Sequence, residues 1–366
     1  MNVKADVAYM KLALALAARG AGWVSPNPMV GAVLVRAGEI VSRGYHRRAG
    51  LPHAEVEALR AAGARARGAD RYVTLEPCNH QGRTPPCTRA ILEAGVRRVI
   101  IAARDPNPYV AGGGGEYLAS RGVSVETGLL AAEAQRLNEA WFHWVNTGRP
   151  WVIAKAACSL DGKIATATGE SQWITGEAAR LWGHRWRHRV DAIVAGINTV
   201  LADDPQLTTR LPRGRGKDPI RVVLDSRLRL PEQARLLHLD SAAPTWVACT
   251  EQAPAAKIRF LERLGAEVLV LPVESGRVSL TALLQLLGAR QVQSLLVEGG
   301  AEVLGSFFDQ KLVRMFHFFY APKFLGGRSA PGVLGGQGVS RLNDAPQASR
   351  LTIRRLGADL LVSGYL

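Results

Sequence analysis

Between His53 and Cys87 the chain gathers one imidazole and two thiols, at His53, Cys78 and Cys87. These are the ligand types zinc favours, and a catalytic zinc keeps three protein ligands plus one position for water. Glu55 stands two residues after His53, in His53-Ala54-Glu55. A carboxylate beside metal-activated water can take a proton and pass it to a leaving group. Cys78 follows Pro77, and an eight-residue loop (residues 79–86) separates it from Cys87.

His-x-Glu followed by Pro-Cys and a second Cys is the pattern of zinc-dependent base deaminases, in which the Glu shuttles protons and is not a ligand. The usual interval is Pro-Cys-x-x-Cys, so the loop here is an insertion. Metal geometry constrains space and not sequence, and Gly82, Pro85 and Pro86 are turn formers able to bring the second thiol back. Cys87 opens a run that reads as a helix ended by Gly95. A cysteine at a helix N-terminus is expected to have a lowered pKa. Two buried cysteines and a surface histidine would be the bland explanation, but the joint pattern argues against it. His80 is the nearby candidate for a fourth ligand of a closed structural site, in which Glu55 would have no role. Asn27 and His46 are candidates for the same pocket, although a turn-stabilising Asn and a surface His read equally well.

The elements that must position these groups alternate. A helix is expected over residues 7–19, then a Gly/Pro turn, then strands at 30–35 and 39–45. A helix begins at His53, a buried strand over 72–76 delivers Cys78, and the Cys87 helix leads to a strand at 96–102. Such alternation indicates an α/β layer fold, with ligands at helix starts near strand ends. The glycine run 111–115 lacks dinucleotide-binding spacing and reads as a flexible loop. Helix, strand and helix are expected over 116–145. Thr147-Gly148-Arg149-Pro150 then breaks the chain, giving expected domains 1–147 and 148–366.

The second half restarts with a strand at 151–157, a helix over 176–189 and a buried strand at 192–196. A polar loop is expected over 198–205, and strands at 220–224, 245–249, 267–271 and 294–297. Val297-Glu298-Gly299-Gly300-Ala301 reads as strand, glycine turn and helix start, where free N–H groups can receive an anion.

At 366 residues, with 47% hydrophobic and 21% charged residues, the chain has the balance of a two-domain globular enzyme. It has no apolar run long enough to span a membrane. Residues 9–18 are apolar, but Asp6 precedes them and no cleavage site follows, so an amphipathic helix is expected and not a signal peptide. Four cysteines, at 78, 87, 158 and 249, are too few for a disulfide framework and fit a reducing cytoplasm. Cys158 and Cys249 read as core residues. The net charge of +15 comes from 46 basic against 31 acidic residues. The arginines are spread without aromatic interleaving, so a solvated face or a phosphate site is expected at Arg185-Trp186-Arg187-His188-Arg189, and not a nucleic-acid groove.

The longer motifs resemble one family. In the first half these are residues 25–31 (Ser-Pro-Asn-Pro-Met-Val-Gly), His53-Ala54-Glu55, residues 76–87 with the insertion, and Asp105-Pro106-Asn107-Pro108 followed by Val110-Ala111-Gly112. In the second half they are Ser159-Leu160-Asp161-Gly162, residues 169–175, residues 200–205 and Val297-Glu298-Gly299-Gly300. Together they resemble the bifunctional riboflavin-biosynthesis family, a diaminohydroxyphosphoribosylaminopyrimidine deaminase fused to a 5-amino-6-(5-phosphoribosylamino)uracil reductase. The resemblance implies a cytidine-deaminase-like α/β/α layer domain followed by a dihydrofolate-reductase-like α/β domain. It implies Zn2+ at His53, Cys78 and Cys87 with Glu55 catalytic, and NADPH reducing a ribosyl side chain to ribityl. Its partners would be small phosphorylated pyrimidines, with no nucleic acid and no membrane, in a cytoplasmic homo-oligomer, a dimer being favoured.

Carried over to this sequence, the family's cofactor positions fall on Ala157, Trp173, Thr199, Asp203, Ser226, Gly299, Gly300, Ala301, Glu302, Val303 and Leu304. Its substrate positions fall on Ser171, Arg187, Leu207, Arg210 and Glu298. Two arginines suit a 5′-phosphate, since a guanidinium can bind one bidentately. Without the resemblance, Arg187 reads as an exposed helix charge and Trp173 as core. Ser226 and Arg227 are candidates for the 2′-phosphate that distinguishes NADPH. Lys155 is a candidate proton donor, and Arg83 and Thr84 are candidates for the phosphate of the first substrate.

Overall fold

The computed structural model describes residues 3–80, 85–107, 113–214 and 216–366, and the chain divides into two units, Met1–Gly148 and Arg149–Leu366. Arg83 and Thr84 lie outside the described residues. In the first unit, α1 (Val3–Ala17) leads to a hairpin of β1 (Gly31–Arg36) and β2 (Glu39–Tyr45). There follow α2 (Ala54–Ala62), β3 (Asp70–Leu75), α3 (Cys87–Glu93), β4 (Arg98–Ala103), α4 (Gly114–Ser120), β5 (Ser124–Thr127), α5 (Ala131–Leu137) and α6 (Glu139–Thr147). The sheet order among the described residues is β2-β1-β3-β4-β5. Strand β1 is antiparallel to both neighbours, while β3, β4 and β5 are parallel.

Successive strand residues point to opposite faces, and this builds two cores. Val33, Tyr72 and Ile100 pack with Met10, Ala13 and Leu16 of α1. Leu34, Val73 and Ile101 pack with Ala54 and Ala58 of α2 and Ile91 of α3. The outcome is a helix–sheet–helix layer unit, with α2 and α3 on the face that carries the ligands.

The second unit contains β6 (Trp151–Ser159), α7 (Glu177–Arg189), β7 (Ala192–Gly196), α8 (Ile197–Asp203), β8 (Ile220–Leu224), β9 (Thr245–Cys249), α9 (Ala255–Arg263) and β10 (Glu267–Val270). A small hairpin of β11 (Val273–Glu274) and β12 (Arg277–Val278) precedes α10 (Leu280–Ala289), β13 (Ser294–Val297), α11 (Ala301–Asp309), β14 (Met315–Ala321), β15 (Ser349–Leu356) and β16 (Asp359–Tyr365). Its main sheet runs β10-β9-β8-β7-β13-β6-β14-β16-β15. From β10 to β14 all neighbours are parallel, and β16 and β15 close the sheet antiparallel. Parallel strands covered on both faces read as continuous apolar runs, as in β7. One cover is α10, whose Leu280, Leu283, Leu284 and Leu287 are all buried. Each contributes about 1.5–3 kcal/mol by burial, so Leu283→Ala alone should cost about 2–5 kcal/mol.

Four readings are corrected. Residues 198–205 are not a loop: Ile197 and Val200, three apart, pack on Val223, so a helix forms and ends where Asp204 turns left-handed at φ 38°. Gly114 and Gly115 of the glycine run open α4, and residues 131–147 form two helices, not one. Trp173, which alone reads as core, is 60% exposed. Strands β14 to β16 carry no chemical motif and are not indicated by one.

Candidate active sites

His53 is the residue that caps the start of α2, and Cys87 is the first residue of α3; Cys78 lies in the loop leaving β3. Their ligating atoms all lie within 4.8 Å of one another. His53 Nδ1 is 3.3 Å from Cys87 Sγ and 3.8 Å from Cys78 Sγ, and the Cys87 N–H donates to Cys78 Sγ at 3.4 Å. The Cys87 thiol hydrogen-bonds to Cys78, holding Cys78 well below the usual thiol range and pushing the buried Cys87 up. One imidazole and two sulfurs converging this closely fit zinc. Among the described residues the cluster comprises these three, and His80 is exposed outside it.

Glu55 is 3% exposed, in the first turn of α2. Its nearest ion-pair partner among the described residues is Arg71 Nη2, 3.9 Å from Oε1. Arg71 is itself fully buried, and burial brings its guanidinium down to about 10 while the neighbouring Cys87 and Cys78 act in the opposite sense. His46 Nδ1 meets the Pro52 carbonyl at 3.1 Å, so that nitrogen carries the proton and Nε2 accepts from Asn27 Nδ2 at 3.1 Å. The His46 ring then stands edge-on to His53, with centroids 5.5 Å apart. Asn27 and His46 therefore reach the metal site, although neither touches a sulfur.

Residues outside the metal cluster support this site. Glu76 accepts from the N–H groups of Gly115 at 3.0 Å and Asp105 at 3.3 Å, tying α4 and the segment after β4 to the strand that delivers Cys78. Gly114 lies so near the Pro77 carbonyl that no side chain fits. Burial lifts Asp105 to about 6 beside them. Gly114 and Gly115 are thus a packing surface for the metal loop, while Ala111 and Gly112 lie outside the described residues.

In the second unit a cleft of about 1270 Å³ opens over the carboxyl ends of β6, β7, β8 and β13, where ligands of parallel sheets bind. Ala157, Ser171, Trp173, Arg187, Thr199, Asp203, Leu207, Arg210, Ser226, Glu298 and residues 299–304 all line it, as do Lys155 and Arg227. Glu298 is its electrostatic centre. Burial alone would raise this carboxyl, but Arg187 and Lys155 overrule that and hold it well below the usual carboxylate range. Arg187 Nε and Nη2 donate to the two oxygens at 3.0 and 2.8 Å, and Lys155 Nζ reaches Oε2 at 3.4 Å. Arg187 Nη1 donates to the Thr208 carbonyl, so its fork is occupied and it is no exposed helix charge. Arg210 keeps a more open guanidinium, touching Gln206 and Thr208.

The rest of the cleft has the fabric of a cofactor site. Ser171 Oγ donates to Asp203 at 3.0 Å, and the Gly300 N–H donates to Thr199 Oγ1 at 3.0 Å. A Cβ on Gly299 would come 2.6 Å from the Val303 side chain, so the turn into α11 admits only glycine there. Ser226 Oγ accepts from the Val278 N–H at 3.2 Å. Arg229, Arg235 and Asp225 also line the cleft, and no motif in the sequence pointed to them. An open glycine turn at a helix start, flanked by arginines, suits a phosphorylated dinucleotide.

Two family models match the chain: the cytidine and deoxycytidylate deaminase zinc-binding region over residues 3–103, and the RibD C-terminal domain over residues 150–362. The riboflavin biosynthesis protein RibD of Bacillus amyloliquefaciens is 46% identical over 352 residues, covering 96% of this chain and 94% of that protein. Among solved structures, RibD of Acinetobacter baumannii (form 1) matches with a TM-score of 0.90 at 38% identity, over 100% of this chain and 99% of that one. A diaminohydroxyphosphoribosylaminopyrimidine deaminase/5-amino-6-(5-phosphoribosylamino)uracil reductase of Thermotoga maritima matches with a TM-score of 0.87 at 35% identity, over 100% and 99%.

Proposed function

The chain belongs to the RibD family of bifunctional riboflavin-biosynthesis enzymes, a zinc-dependent deaminase and an NADPH-dependent reductase in one polypeptide, and we propose that the two clusters described above divide its two steps. The observation that carries this is a His/Cys/Cys cluster, with the buried Glu55 in the helix turn that His53 caps, together with a separate cleft that Glu298 lines. The +15 charge would favour a nucleic-acid deaminase, but the relatives match along the whole chain and are riboflavin enzymes.

In the first step the amino group of 2,5-diamino-6-(5-phosphoribosylamino)pyrimidin-4(3H)-one is exchanged for oxygen from water, and ammonia leaves. His53, Cys78 and Cys87 would hold the zinc, which when bound supplies the Lewis acidity that makes water nucleophilic at neutral pH. Glu55 takes a proton from that water and delivers it to the departing nitrogen. Asn27 and the neutral His46 orient the pocket wall beside His53.

In the second step the ribosyl side chain of 5-amino-6-(5-phosphoribosylamino)uracil becomes ribityl. Residues 299–304, Thr199, Asp203, Ala157, Trp173 and Ser226 would hold NADPH, which when bound supplies the hydride. Arg187 fixes Glu298 as an anion, and Glu298 holds the Lys155 ammonium where it can give the proton that balances the hydride. Arg210 is the arginine left open for the 5′-phosphate, with Ser171 and Leu207 beside it. A cytoplasmic homodimer completes this assignment. Four free cysteines suit a reducing compartment, and the edge strand β15 exposes Leu351 and Ile353; sedimentation would test the dimer.

The decisive experiment gives the diaminopyrimidinone phosphate to zinc-loaded protein with and without NADPH. Ammonia should appear in both cases, and NADPH absorbance should fall only after deamination. Ammonia release without any NADPH oxidation would remove the second assignment; NADPH oxidation without ammonia would remove the first.

A further inference from the structure

Arg71 is the second residue of β3, paired in the sheet with Leu34 and Val99. It shares its face with Val73, which packs among Ala54, Ala58 and Ile91. Its side chain is completely buried, yet Nε, Nη1 and Nη2 have no hydrogen-bond partner. A buried guanidinium without such partners is costly and needs an anion nearby. Among the described residues its ion-pair partner is Glu55, at 3.9 Å, and Cys87 and Cys78 also act on it electrostatically.

Glu55 is itself 3% exposed, so carboxylate and guanidinium face each other out of reach of solvent. From this geometry we infer that Arg71 is a positioning residue for Glu55, a fully buried partner 3.9 Å from its carboxylate that holds it in place. Arg71 acts through Glu55. This role presumes the deaminase assignment made above.

The test combines kinetics with a stability cycle on the full-length, zinc-loaded chain. Arg71→Met, similar in length and uncharged, should bind a full complement of zinc and keep KM within about twofold, while kcat for ammonia release falls about tenfold or more. Arg71→Lys should recover most of that loss. In denaturant unfolding, Arg71→Met and Glu55→Gln should each lower the midpoint, because each strands one buried charge, and the double variant should lose less than the sum. Unchanged kcat in Arg71→Met, or additive midpoints, overturns the inference. Should Arg71→Met not fold, the cycle is run with Arg71→Gln, also uncharged, where additivity has the same meaning. Ammonia release surviving in Glu55→Gln would sink the deaminase assignment itself. A silent Glu55→Gln beside a fully active Arg71→Met would sink only the pairing.

Discussion

Gly114 stands against the carbonyl of Pro77, with no room for a Cβ between them. The two residues belong to segments far apart in sequence, and their contact fixes the loop that carries Cys78. Gly114→Ala must push α4 or the Cys78 loop away, an overpacking cost of about 1–3 kcal/mol. The sensitive measurement is zinc affinity by competition with a chromophoric chelator. A loss of about tenfold or more is expected, and unchanged affinity would show that the loop is positioned by other contacts.

The metal ligands and the proton shuttle should separate cleanly. Cys87→Ser is expected to lose zinc and ammonia release together. Glu55→Gln is expected to keep zinc and lose ammonia release by about 100-fold or more. Metal analysis beside an ammonia assay distinguishes the two; ammonia release persisting in Glu55→Gln rules out its shuttle role.

Glu298 links stability to pH in the second unit. Arg187 and Lys155 hold its folded pKa well below that of an ordinary glutamate, so its stabilisation is full above the ordinary value and is lost as pH falls below it, through the folded pKa. Urea midpoints measured from pH 6 downward should therefore decline less steeply in Glu298→Gln than in the parent chain. Arg187→Ala at neutral pH leaves this carboxylate poorly paired and should cost about 3–5 kcal/mol. A loss under about 1 kcal/mol would mean that water reaches the carboxylate.

Ser226 and the exposed Arg227 line the cleft just after β8. Changing both to aspartate would set negative charge where the 2′-phosphate of NADPH is proposed to bind. The KM for NADPH should rise about tenfold or more while that for NADH changes little. Equal effects on both cofactors would place the 2′-phosphate elsewhere.

The metal ligands were legible because His, Cys and Glu at such spacing have few other uses. The cleft residues became legible only through long motifs, since Ser171, Thr199 or Leu207 alone could sit in any loop or core. Arg71 gave no local sign: one charge inside Asp70-Arg71-Tyr72-Val73 looks like an edge residue until the helix opposite it is known. The glycine run was misread for a related reason. Glycine marks close approach as readily as flexibility, and the approaching partner, Pro77, lies in a different segment. Residues 198–205 misled because Ile197 and Val200 supply only one apolar turn among Asn, Thr and Asp.

Each catalytic cluster is assembled wholly within its own half of the chain, the metal site from the first and the cleft from the second. Ribosomes therefore supply the two catalysts in a fixed one-to-one ratio that no change in expression can adjust. Whether the deaminated intermediate builds up is left to the two turnover numbers. A substitution that slows only the cleft should make a cell accumulate that intermediate in proportion, however much of the protein it produces.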